Sequence, residues 1–158
     1  MSAPELCGLL LEAAQRDLRL IESNLRNPGC SDEVFGFHAQ QAAEKTLKAW
    51  LRYRNVEYPH THDVYTLMTL LSHHGENVGP YRALESLTPF AVQFRYEGLD
   101  LSEERLDRKA VLKVVRDLVV NVRGWVEGAG PSLREQHAVY KVKKAASRRV
   151  KRTLKKKR

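Results

Sequence analysis

Apolar residues in this chain recur at three- and four-residue intervals in five separate stretches, and nowhere alternate two by two over a useful length. Such spacing turns one face of a helix toward a core, whereas a half-buried strand would alternate. Leu6, Leu10, Ala13, Leu18, Ile21 and Leu25 form the first stripe, on a helix expected from about Pro4 to Arg26. Pro4 suits a first turn because the N–H it lacks would be unpaired there anyway. Asn27-Pro28-Gly29 stops the helix, and Ser31 caps the next, with Asp32 and Glu33 well placed against its dipole.

The second helix, about Asp32 to Tyr53, carries Phe35, Ala39, Ala42, Ala43, Leu47, Trp50 and Leu51 on a wide apolar face. Several of these are small, so a neighbouring helix can approach closely. After a loop containing Pro59, Thr61 is the expected cap of a third helix, about His62 to His73, which Gly75 ends. A fourth is expected from about Pro80 to Phe94, with Tyr81, Leu84, Leu87 and Phe90 inward. Arg95-Tyr96-Glu97-Gly98 breaks it. Ser102, with Glu103 and Glu104, opens a fifth helix whose stripe is Leu106, Ala110, Val114, Leu118, Val122 and Trp125. The pattern predicts an all-α protein, an antiparallel bundle of four to five helices over residues 1–130 with a basic tail at 131–158.

Charge sharpens that division. The whole chain of 158 residues carries +8, but residues 133–158 hold twelve Lys or Arg against one Glu, a net of +11, leaving the rest at −3. The basic character therefore belongs to the tail and not to the bundle. By itself the tail is expected to be disordered or weakly helical, since short, densely charged helices are marginal in water. Lys143, Lys144, Arg148, Arg149, Lys151 and Arg152 are its candidate nucleic-acid contacts, which would act by releasing counterions from phosphates. Tyr140 is its one aromatic, too little for base-specific stacking.

Cys7 and Cys30 imply no disulfide framework, no secretion signal is evident, and no apolar run approaches membrane-spanning length. These features lead to the expectation of a cytoplasmic protein without a membrane partner.

Residues able to do polar chemistry gather on the second helix and at the head of the third. His38 and Lys45 lie two helical turns apart with Gln41 and Glu44 near the same face, while His62 and Asp63 follow in the next loop. A purely structural account makes Glu44 and Lys48 an i,i+4 pair and Asp63 a helix cap. Trp50 and Trp125 sit on apolar stripes and belong to the core. His60, His62 and Asp63 lack a distant third group of ligands, so no metal is expected, and no cofactor either.

His38 with Gln41, Ala42, Glu44, Lys45, Leu47 and Lys48, then Thr61-His62-Asp63, then Arg95-Tyr96 make residues 5–127 resemble a HEPN domain (higher eukaryotes and prokaryotes nucleotide-binding). The resemblance implies a compact helical bundle that forms a homodimer and binds nucleotide or RNA. It also implies work beside a minimal nucleotidyltransferase partner in prokaryotic toxin–antitoxin or stress systems. The binding residues it points to are His38, Gln41, Lys45, His62, Asp63, Arg95 and Tyr96.

Many such domains cleave RNA without metal through an Arg-x(4–6)-His motif, in which His moves the proton and Arg offsets charge on phosphate. Here no histidine follows Arg95 before His137. Arg54 and His60 have the right spacing at a different place, and about two such matches arise by chance in this composition. No catalytic residue is assigned. The sequence thus leaves three readings: a binding module, a metal-independent endoribonuclease, and a helical adaptor docked on nucleic acid by its tail.

Overall fold

Asparagine competes with the backbone for helix carbonyls, and at Asn24 that competition ends the first helix, α1 (Ala3–Ser23). Asn24 Nδ2 donates to the Leu20 carbonyl at 3.0 Å, and Asn27 Nδ2 to Asn24 Oδ1 at 2.8 Å, so the expected extension to Arg26 becomes a turn. The computed structural model describes residues 3–93 and 105–128, and every regular element in them is helical. Arg95, Tyr96 and the tail cations Lys143, Lys144, Arg148, Arg149, Lys151 and Arg152 lie outside the described residues.

The second helix, α2 (Asp32–Tyr53), has the expected bounds, with Ser31 Oγ accepting from the Val34 N–H at 3.3 Å. It packs against every other described helix, most extensively against α1. All seven expected core residues of α2 are buried, and Phe35, Trp50 and Leu51 are among the largest side chains fully shielded from solvent. Burial of this kind, about 1.5–3 kcal/mol for each large apolar side chain, is the main source of stability.

The third helix, α3 (Val64–His73), starts later than expected, and its cap is Asp63 and not Thr61. Asp63 accepts from the N–H groups of Tyr65 and Thr66, each at 3.1 Å, while Thr61 Oγ1 accepts from the Asp63 N–H at 3.0 Å. A carboxylate outcompetes a hydroxyl for the helix dipole. Gly75, at φ 86°, follows the end of α3 as the sequence implied.

The expected fourth helix is two elements. A 3-10 segment (Gly79–Leu87) leads into a short α4 (Thr88–Gln93). Pro89 accounts for the break, because it has no N–H to continue an α-helical ladder from the preceding turn. Tyr81, Leu84 and Leu87 are buried, and Phe90 is half-buried.

The last helix, α5 (Arg108–Val126), begins at Arg108 with Asp107 as cap, and the expected start at Ser102 lies outside the described residues. Its buried stripe is Leu112, Val115, Leu118, Val119 and Val122; Ala110 is exposed, while Val114 and Trp125 lie at the border. In α1 the core positions are likewise Cys7, Leu11, Ala14, Leu18 and Ile21, with Leu6, Leu10 and Ala13 flanking them. Arg108 closes the bundle. Its Nε pairs with Asp32 at 2.6 Å, and its Nη atoms donate to the carbonyls of Asn24, Asn27 and Cys30.

Gly36 lets α4 approach α2. A Cβ there would stand 2.4–2.7 Å from the Phe90 ring. Alanine is the better helix former by about 1 kcal/mol, but overpacking costs about 1–3 kcal/mol. Gly36→Ala is expected to lower stability by about 1 kcal/mol, read as a reduced urea midpoint at unchanged slope. A raised midpoint would mean that the ring moves aside freely.

Candidate functional site

Two carboxylates, one on each side of the polar strip of α2, organise its side chains. On the α1 side, Asp17 reaches across to two of the expected residues. Its Oδ1 lies 2.9 Å from His38 Nδ1, and its Oδ2 accepts from Lys45 Nζ at 2.5 Å. Asp17 thereby fixes the orientation of the His38 ring. All three side chains remain partly exposed.

On the α3 side the centre is Glu44, whose side chain is only 5% exposed. Its carboxylate accepts from Lys48 Nζ at 2.6 Å and from Gln40 Nε2 at 2.9 Å, and lies 3.2 Å from His62 Nδ1. Gln40 Nε2 also donates to the His62 carbonyl at 2.9 Å. Both the main chain and the ring of His62 are therefore tied to α2, while its side chain stays half exposed. Gln41 extends this second group, donating from Nε2 to Gln40 Oε1 at 2.8 Å. His38 and Lys45 thus belong to the Asp17 group and Gln41 and His62 to the Glu44 group, the two lying at neighbouring positions along α2.

Asp63 stands beside that strip as the cap of α3. Besides the two backbone donors, it accepts from Thr66 Oγ1 at 2.6 Å and Thr88 Oγ1 at 3.2 Å. Burial alone would raise its pKa, but these donors together hold it below the ordinary aspartate value. Arg54, matched in spacing to His60, forms an ion pair with Glu76. His60 and His73 are exposed, and His74 Nδ1 lies 2.9 Å from the Leu70 carbonyl at the end of α3. Trp50 is a core residue, with the half-buried Trp125 ring 4.8 Å from its own.

Sequence reasoning missed Asp17 and Gln40 as parts of this arrangement. Asp17 sits on a different helix, and nothing local distinguishes it from a solvated acid. Gln40 had a readable signal: it lies among alanines on the apolar side of α2, where an amide needs partners. Among the described residues, no group of three or more His, Cys, Asp or Glu could hold a metal ion. No described helix is long and apolar enough to cross a membrane.

The strip is close to charge-balanced, because Lys45 and Lys48 face Asp17 and Glu44. It offers directed donors and acceptors without a strong net field, which suits reading the polar edge of a ligand more than capturing a polyanion.

Burial tends to raise the pKa of Glu44, yet the bonds from Lys48, Gln40 and His62 outweigh it and lower the value below its ordinary 4.5. A depressed folded-state pKa gives stability that is complete above the unfolded value and lost as pH falls through the folded one. Glu44→Gln is expected to cost about 2–3 kcal/mol at neutral pH. In denaturation series the gap to wild type should narrow below about pH 4.5. A gap that stays constant into acid would show that the charge of Glu44 contributes nothing.

A family model described as "HEPN domain" matches residues 8–125. No curated protein and no solved structure matches the chain significantly.

Proposed function

The chain belongs to the HEPN domain family, whose members are helical modules tied to nucleotides and RNA, and we propose that it is a homodimeric binding module that reads a nucleotide or RNA with the α2 strip. The observation that supports this is the presence of two carboxylate–imidazole–lysine groups, Asp17–His38–Lys45 and Glu44–His62–Lys48, at neighbouring positions of one helix, with Gln41 bonded to Gln40 in the second. His38, Gln41 and His62 supply orientation, and Lys45 approaches phosphate from a position fixed by Asp17. Arg95 and Tyr96 complete the proposed set from beyond the described residues. The C-terminal cations, Lys143, Lys144, Arg148, Arg149, Lys151 and Arg152, supply the long-range attraction that a balanced strip lacks. A minimal nucleotidyltransferase in a prokaryotic toxin–antitoxin or stress system is the proposed protein partner, and the cytoplasm the proposed location.

The endoribonuclease reading draws less support, since the guanidinium of Arg54 is engaged with Glu76.

Two measurements on the full chain test the proposal. In titrations with AMP and with oligoadenylate, Gln41→Ala and His62→Ala are each expected to weaken binding about tenfold, the scale of one hydrogen bond to a charged or ordered partner. Wild-type affinity in both variants, or no binding of either probe, would overturn the reading, and a monomer by light scattering would overturn its dimeric form. Changing Lys143, Lys144, Arg148 and Arg149 together to Gln should make the salt dependence shallower, by about 0.7 in log–log slope for each phosphate left unneutralised. An unaltered slope would remove the tail from the mechanism.

A further inference from the structure

Four arginines among the described residues are half-buried: Arg52, Arg54, Arg108 and Arg123. Three of them sit on a carboxylate, Arg54 on Glu76, Arg108 on Asp32 and Arg123 on Glu127. Arg52 has no such partner among the described residues, and its Nε is buried without an acceptor. Its guanidinium lies over the Tyr58 ring, 5.1 Å from the centroid. The Lys48 ammonium stands 5.8 Å from the same centroid. Two cations therefore share one aromatic ring, one helical turn apart on α2, and only Lys48 has a counter-ion, Glu44.

That arrangement is electrostatically incomplete. An aromatic face attracts each cation but offers no lone pairs to the five donors of a guanidinium. Like charges at i and i+4 repel, and Glu44 compensates one of them. An oxyanion placed between Arg52 and Lys48 would accept from both, and a tetrahedral phosphate fits the planar fork of Arg52 through two parallel hydrogen bonds. We propose that Arg52 and Lys48, backed by Tyr58, form a phosphate-binding site for a phosphate monoester or diester. Lys48 ties the site to the Glu44–His62 group, so a phosphate held there leaves the rest of a nucleotide within one or two helical turns of His62. Arg52 and Tyr58 lie outside the proposed recognition strip and Lys48 is shared with it, so Arg52→Gln tests this site apart from the strip.

The competing account is that Arg52 merely complements the dipole at the last turn of α2 while covering Tyr58. A site-local readout separates the two, and avoids the signal of the C-terminal cations. In the full chain, the Arg52 Nε–H resonance is assigned by its loss in Arg52→Gln and followed during titration with inorganic phosphate. A saturable shift of that resonance, abolished in Lys48→Gln, is expected. An Arg52 resonance that stays still, whether or not amides of residues 133–158 move, would overturn the site.

Titrations with AMP and with a short oligonucleotide lacking terminal phosphates then separate the sources. Saturation at lower concentration by AMP assigns the site to a terminal monoester, and by the oligonucleotide to a backbone diester. Arg52→Gln should weaken the preferred probe about tenfold, and unchanged affinity would again overturn the site. Loss of binding in Gln41→Ala or His62→Ala with wild-type affinity in Arg52→Gln would remove this inference and leave the recognition strip intact. Phosphate binding at Arg52 without any effect of Gln41→Ala or His62→Ala would do the reverse.

Discussion

A carboxylate placed inside a helical bundle has to be met by donors, and Glu44 imposes that condition on this molecule. Desolvating the charge would cost several kcal/mol if nothing answered it. Gln40 and Lys48 answer from the same helix, and His62 from the following loop. Meeting the charge draws the chain after α2 back onto α2 and delivers Asp63 to the start of α3. Thr88 then bonds to both Asp63 and the Val64 N–H, so the onset of α4 is aligned by the same corner. One buried acid thus sets the positions of the following loop, α3 and α4.

Asp17 plays a parallel part on the opposite border, holding α1 to α2 through His38 and Lys45. Both carboxylates take a lysine and an imidazole, and both lysines are neutralised in doing so. The face that results is rich in directional bonds and poor in net charge, while the sequence stores its positive charge in the C-terminal segment. Separating orientation from attraction in this way lets each be altered without the other. Under the proposed function, a change in the strip would alter which chemical edge is recognised, and a change in the cations how strongly a polyanion is drawn in.

How legible the structure was in the sequence varied with how local the determining interaction is. The bounds of α2 were readable because its cap, first-turn acids and small apolar face all lie within the helix. The faces of α1 and α5 were harder, since Leu9-Leu10-Leu11 and Leu118-Val119-Val120 offer more than one candidate stripe. Only tertiary packing, against α2 and against each other, chooses among them, burying Leu11, Leu118 and Val119 and leaving Leu9 and Val120 exposed. The cap of α3 was displaced by two residues because Thr61 and Asp63 both have capping side chains, and Pro89 was underweighted as a breaker. In the candidate site, His38, Gln41, Lys45 and His62 were recoverable from one helix face and one loop. Asp17 was not, because a pairing across 21 residues leaves no periodic trace.

The bond between Arg108 and the α1–α2 turn bears on synthesis of the chain. Asp32 and the carbonyl of Cys30 emerge 76 and 78 residues ahead of the arginine that will bind them. At a translation rate of about 5–20 residues per second, they wait roughly 4–15 s, hydrated and unclaimed. The hairpin of α1 and α2 can form during that interval from contacts close in sequence. Docking of α5, which buries Leu118 and Val122, is consequently a late event on the ribosome, and until it happens one side of the nascent bundle stays open to chaperones.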